Sequence, residues 1–189
     1  MGVRNTAEGW GWLARIIHWS VTLIILGLLG LGFYMTNFVE DVFEQFGLTQ
    51  IHKSWGFTVF VLVLARMVWR LANPTPRLPD GMSPVEKGLA HGGHLALYVL
   101  MIAMPLSGWL MSSASPLQEL YGIKNKVFGL FEMPDPFVPG SQELETLFAD
   151  IHYVCAIALT AVVAAHAAAA LKHHFIEKDN VLRRMIIGR

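Results

Sequence analysis

Residues 149 to 175 read ADIHYVCAIALTAVVAAHAAAALKHHF, an apolar run that carries histidines at a regular spacing. His152 and His166 stand fourteen positions apart. At about 100° and 1.5 Å per residue, that step falls within roughly 40° of four full helical turns and covers ~21 Å. Both imidazoles therefore leave one face of one helix, near opposite sides of a ~30 Å hydrocarbon layer. Leu159 lies one heptad from each, and His173 continues the stripe one heptad further. Much of the rest is alanine, with Cys155 also small. Small side chains beside a buried histidine leave room for something flat and large, and a pair of haems is the simplest candidate. A lone histidine of this kind is more often a hydrogen-bonded core residue. Two on one face of a span shift the balance, because ionisable groups inside a membrane are costly and usually functional.

Composition points the same way. The chain has 189 residues, 54% hydrophobic and 15% charged, which is the profile of an integral membrane protein. A formal net charge of zero and the lack of a basic run argue against a nucleic-acid partner. With one cysteine there is no disulfide framework and no C-x-x-C-H for covalent attachment, so any haem bound here is of the non-covalent b type. The first apolar segment is too long for the core of a signal peptide and is read as a span.

Four spans are expected, at about residues 13–34, 51–71, 95–111 and 147–171, in a single all-α domain covering 1–189. An acidic loop with Glu40, Asp41 and Glu44 separates the first two. Asn73-Pro74-Thr75-Pro76 ends the second. Ser83-Pro84-Val85-Glu86 combines an N-cap serine, a proline at the first helical position and a glutamate at the third, so the third helix starts there, with Pro105 inside it. Residues 112–140 contain four prolines and read as a loop; Ser141 caps the fourth helix. If both termini are cytoplasmic, eleven of the fourteen basic residues, Arg189 among them, fall inside, and only Lys53, Lys124 and Lys126 fall outside. That orientation puts His18 level with His166 near the cytoplasmic side, and His52 level with His152 near the outer side. Four helices then offer two imidazole pairs stacked across the membrane, a transmembrane four-helix bundle holding two b haems. Gly32 and Gly56 keep faces open beside these levels, and Arg15 and Arg66 are candidate partners of haem propionates. The alternative for Arg66 and Arg70 is that they snorkel to headgroups.

Ile17-His18-Trp19, Ile51-His52-Lys53, LAHGGHL at 89–95, and above all HAAAALKHHF at 166–175 followed by Lys178-Asp179-Asn180 resemble the bacterial cytochrome b561 family, including its superoxide oxidases of the inner membrane. The resemblance covers all four spans. It implies His18 and His166 on the inner haem iron, His52 and His152 on the outer, and electron transfer through both to ubiquinone in the bilayer of a bacterial inner membrane. It implies a quinone-linked oxidoreductase whose outer donor is superoxide or a partner protein. The alternative is the haem b anchor of a larger dehydrogenase or hydrogenase, with the 112–140 loop as the docking face. The outer segments are mainly acidic, and Lys124 and Lys126 form the local basic spot there. His94 and His173 enter the cytoplasmic side and are expected to line the quinone site, since quinone reduction needs protons that histidine can pass.

Overall fold

The computed structural model describes residues 2–137 and 139–188. Arg189 therefore lies outside the described residues. Four long helices dominate an all-α fold of the four-helix-bundle class: α1 (Trp12–Asn37), α2 (Val42–Leu71), α3 (Pro84–Ala114) and, after a short α4 (Leu117–Tyr121), α5 (Gln142–Lys172). A π-helical turn (His173–Glu177) widens the end of α5, and α6 (Val181–Ile186) follows. All four long helices are long and apolar enough to cross a membrane. Such helices satisfy every backbone polar group internally, which a hydrocarbon solvent demands.

Local chemistry sets the helix ends. At α3 the capping box closes reciprocally: the Glu86 N–H donates to Ser83 Oγ at 3.2 Å, and the Ser83 N–H donates to Glu86 Oε2 at 2.9 Å. Such a cap contributes about 1 kcal/mol. Ser141 caps α5 as expected, its Oγ accepting from the Leu144 N–H at 3.4 Å. The expected loop before the second span is shorter than its acidity suggests. Asp41 Oδ1 accepts the Glu44 N–H at 2.7 Å, so α2 begins at Val42 and Glu44 lies in its first turn. Beyond α2, Asn73 Nδ2 returns to the Trp69 carbonyl at 2.9 Å before the prolines turn the chain away. α3 runs on through Pro105 to Ala114.

The chain divides into two compact units. The first holds residues 1–23, 62–99 and 159–189. Val21, Val63 and Leu159 are buried in it. Its chain head is stitched to the α2–α3 connection: Asn5 Nδ2 donates to the Pro74 carbonyl at 3.1 Å, Asn5 Oδ1 accepts the Gly11 N–H at 3.0 Å, and the Arg77 N–H donates to the Ala7 carbonyl at 2.9 Å. A Cβ on Gly11 would stand 2.1 Å from the Val3 carbonyl oxygen, so only glycine allows this closure. α6 is held to α1 by Arg15 Nη1 on the Ile186 carbonyl at 2.8 Å and Trp19 Nε1 on the Met185 carbonyl at 3.1 Å.

The second unit holds residues 24–61 and 100–158. Ile25, Val59, Met101, Ala114 and Val127 are buried here, with the polar Ser54, Ser107, Ser113 and Asn125. The 112–140 segment is not a plain loop. It contains α4 and a hairpin of β1 (Lys126–Val127) and β2 (Phe131–Glu132), antiparallel with Val127 opposite Phe131. Phe128 and Gly129 both take positive φ at the turn, 49° and 71°. Phe128 is held in that strained state by its N–H on Ser54 Oγ at 2.9 Å and by edge contact with Trp55. Asn125 anchors the segment, with Ser112 Oγ on its Oδ1 at 2.6 Å, Lys53 Nζ on the same oxygen at 3.1 Å, and its own Nδ2 on Asp135 at 2.5 Å.

Candidate functional site

Each unit contains one facing pair of histidines. In the first unit the ring centres of His18 and His166 stand 6.5 Å apart with their planes inclined at 71°. In the second, His52 and His152 stand 6.3 Å apart at 74°. Two imidazoles bound to opposite sides of one metal ion through bonds of ~2.0 Å would place their ring centres roughly 6 Å apart. The two pairings expected from helix direction are therefore the ones that form, each with a spacing that fits a shared metal.

The nitrogens fit as well. His18 Nδ1 and His52 Nδ1 are buried without a protein hydrogen bond. His152 Nδ1 lies 3.0 Å from the Met104 carbonyl and 3.1 Å from Ser107 Oγ. Donation from Nδ1 fixes the tautomer that leaves Nε2 as an acceptor for a metal. Glycine shapes the ground beneath both rings of the second pair. A Cβ on Gly108 would meet His152 Cε1 at 2.9 Å, and one on Gly32 would meet His52 Cε1 at 3.4 Å, whereas Gly56 faces open space. Gly32 thus serves the His52 ring itself, and Gly56 keeps the neighbouring face open.

Ser107, Met104 and Gly108 were not legible as site residues. The available signal was a Ser-Gly pair within an apolar helix, which alone marks only a close approach.

The remaining sequence candidates separate. In the first unit His94 lies against His166, ring centres 5.5 Å apart. His173 is instead engaged by two carboxylates, its Nδ1 standing 2.5 Å from Glu177 Oε2 and 2.6 Å from Asp179 Oδ2. No hydrogen bond or ring contact joins His94 to His173 among the described residues. Arg66 and Arg70 both lie over the Tyr98 ring, at 5.8 and 5.6 Å from its centre. Both guanidiniums are thus within cation–π range of that ring. They line a cleft with Asn5, Trp10, Ile17 and Trp69. Arg15 reaches the Ile186 carbonyl through one of its five donors. His91 Nδ1 lies 2.7 Å from the Lys87 carbonyl. In the second unit the basic spot is paired: Glu132 lies 2.7 Å from Lys124 and 3.8 Å from Lys126.

A family model described as prokaryotic cytochrome b561 matches residues 9–188. The chain is 32% identical over 188 residues to cytochrome b561 homolog 2 of Escherichia coli K12, covering 98% of this chain and 95% of that protein. It is 34% identical over 172 residues to the probable superoxide oxidase CybB of Yersinia pestis, covering 90% and 91% respectively. Cytochrome b561 homolog 1 of Escherichia coli K12 is 28% identical over 174 residues, covering 92% and 94%. These matches run through all four long helices and both histidine pairs, and the chain belongs to the prokaryotic cytochrome b561 family.

Proposed function

We propose that this bacterial membrane protein is a di-haem cytochrome b that passes electrons from an outer donor to ubiquinone, with both termini in the cytoplasm. The observation that carries the reading is the repetition of one geometry, two imidazole pairs at 6.5 and 6.3 Å. His18 and His166 would hold the inner haem b, and His52 and His152 the outer one. A haem held by each histidine pair would supply one-electron transfer. Everything else falls to the chain. The four histidines bind and orient, Gly108 and Gly32 admit the rings, and Arg15 and Arg66 supply positive charge for propionates. His94 and His173 deliver the two protons that ubiquinone takes up with two electrons on becoming the quinol.

Superoxide is the favoured outer donor, because a relative at 34% identity carries the name superoxide oxidase. Two superoxide anions would yield two dioxygen molecules and the two electrons the quinone requires. The pairing of Lys124 and Lys126 with Glu132 weakens electrostatic attraction of an anion at that spot. A second reading, in which the chain is the haem b anchor of a larger dehydrogenase or hydrogenase, is favoured by the exposed Leu120, Tyr121, Leu130 and Phe131 on the 112–140 segment.

The deciding experiment is pyridine haemochrome analysis of purified wild type, His152→Ala and His166→Ala, followed by turnover with superoxide and a ubiquinone analogue. We expect each variant to keep half the wild-type haem by the haemochrome assay, and potentiometric titration of the intact proteins to show a different haem surviving in each. In His94→Ala and His173→Ala both haems should remain while quinone reduction falls by about 10²-fold or more, the scale of a lost proton-transfer group. One haem in the wild type would overturn the pairing. Unchanged quinone turnover in both of the last variants would overturn the quinone site. A wild type reduced by a co-purifying protein and not by superoxide would favour the anchor reading.

A further inference from the structure

The junction of α5 and α6 places three metal-ligating atoms together: His173 Nδ1 and one carboxylate oxygen each from Glu177 and Asp179, all within 4.8 Å of one another. The contacts at His173 are over-subscribed. An imidazole nitrogen carries at most one proton, and that proton serves one acceptor well. Here two carboxylates face the same nitrogen, at 2.5 and 2.6 Å. A cation between the three groups resolves the conflict, and an imidazole with two carboxylates is a donor set suited to zinc and its first-row neighbours.

The chain builds this cluster deliberately. Glu177 follows His173 by four residues, so the π-helical turn carries its carboxylate past the imidazole. Lys178 then takes φ 55°, a costly conformation for a side-chain-bearing residue, and the Asp179 N–H closes on the His173 carbonyl at 3.1 Å. That reversal brings Asp179 back to the same ring. Each carboxylate is also oriented by its second oxygen. Asp179 Oδ1 accepts the Val181 N–H at 2.9 Å, leaving Oδ2 for the cluster. Glu177 Oε1 is held by Lys172 Nζ at 2.7 Å, leaving Oε2. Lys172 is in turn tied to Glu86 Oε1 at 2.9 Å. Oriented outer contacts of this kind are what metal ligands ordinarily have.

We propose that His173 Nδ1, Glu177 Oε2 and Asp179 Oδ2 bind one divalent transition-metal ion of the zinc class, with water completing its coordination. Ligand bonds of ~2.0–2.2 Å set donor atoms roughly 3.3 Å apart, so binding lengthens the two His173–carboxylate separations by less than about 1 Å each. A consequence, resting on the assignment of His173 to the quinone site, is that the bound ion occupies the nitrogen needed for proton delivery and slows quinone turnover. The site would then regulate the enzyme through cytoplasmic metal.

The test is equilibrium dialysis of the purified, haem-containing protein against Zn²⁺, comparing wild type with Glu177→Gln and Asp179→Asn. The haem spectrum serves as the folding check. Asp179→Asn keeps an oxygen for the Val181 N–H, so it isolates the loss of a ligand charge. We expect one zinc ion per wild-type chain, at least tenfold weaker binding in each variant, and unchanged haem spectra. A wild type that binds no zinc, or variants that bind it as well as the wild type, would overturn the proposal. Turnover then separates the two ideas: zinc should slow quinone reduction in the wild type and not in the variants. Zinc bound through the triad without any effect on turnover would leave the metal site standing and remove His173 from the quinone site.

Discussion

The two histidine pairs have nearly the same spacing and are built by different means. In the second unit the backbone does most of the work: His152 is gripped by the Met104 carbonyl and Ser107 Oγ, and Gly108 lets the ring approach its helix. In the first unit side chains surround the pair, with His94 against His166 and the guanidiniums of Arg66 and Arg70 gathered on Tyr98. One pair is thus positioned by close packing and a directed hydrogen bond. The other sits among titratable and charged groups. On the function proposed above, the contrast would suit one electron site that only has to be held and another where protons are also taken up.

The largest way to break the comparison is Gly108→Val. A Cβ alone would already stand 2.9 Å from His152 Cε1 and 3.2 Å from its Nδ1, so a branched side chain should displace that imidazole. Pyridine haemochrome analysis should show loss of roughly half the haem, and potentiometric titration of the intact protein should show the missing component to be the one that His152→Ala removes. Gly30→Ala is the matched control, since nothing lies within 4 Å of its Cβ position, and it should keep all the haem.

A finer change is Ser107→Ala, which removes one of the two partners of His152 Nδ1 while leaving the Met104 carbonyl. A ligand that donates less strongly from Nδ1 is a poorer electron donor to iron. The haem on the His52–His152 level should shift upward in potentiometric titration by on the order of 20–60 mV, from a hydrogen bond worth about 0.5–1.5 kcal/mol. The other haem should not move. A shift of both would mean the two pairs are not independently tuned.

The smallest expected effect lies in the hairpin of the second unit. The hydrogen bond from Lys124 holds the Glu132 carboxyl below its usual range, and the same bond raises Lys124. A lowered carboxylate contributes stability above its unfolded value of about 4.3 and loses it as pH falls through the folded value. A raised lysine contributes below about 10.4 and loses it as pH climbs through the folded value. Amide exchange at Val127 and Phe131 should therefore be slowest between those limits and quicken on acidification, with Glu132→Gln flattening the acid side. The change should be slight, because both side chains are exposed.

Much of this architecture is legible in the residues, for identifiable reasons. The fourteen-residue spacing of His152 and His166 fixes a common face whatever the helix packs against, and helix direction then allows only one level-by-level pairing. The capping box at Ser83–Glu86 is a local device and reads locally. Hydropathy rises at Ile51, where the second span is read, while the helix that carries it begins nine residues earlier, at Val42 beside the Asp41 cap. The hairpin at 126–132 was invisible, since its turn places a phenylalanine at positive φ where sequence rules expect glycine or asparagine. Shared level is what places His94 and His173 together in the sequence; their immediate neighbours, His166 for His94 and Glu177 and Asp179 for His173, depend on rotational phase, which level does not carry.

The stitched head of the chain has a consequence for synthesis. Asn5 leaves the ribosome 69 residues ahead of Pro74, whose carbonyl it must find, and Ala7 waits similarly for Arg77. At 5–20 residues per second that interval is on the order of 3–14 s, during which α1 and α2 emerge while the Asn5 Nδ2 has no Pro74 carbonyl to grip. The first dozen residues are consequently a clasp fastened after two helices have been made. A nascent chain stalled before Pro74 would carry its leading helix with the clasp still open.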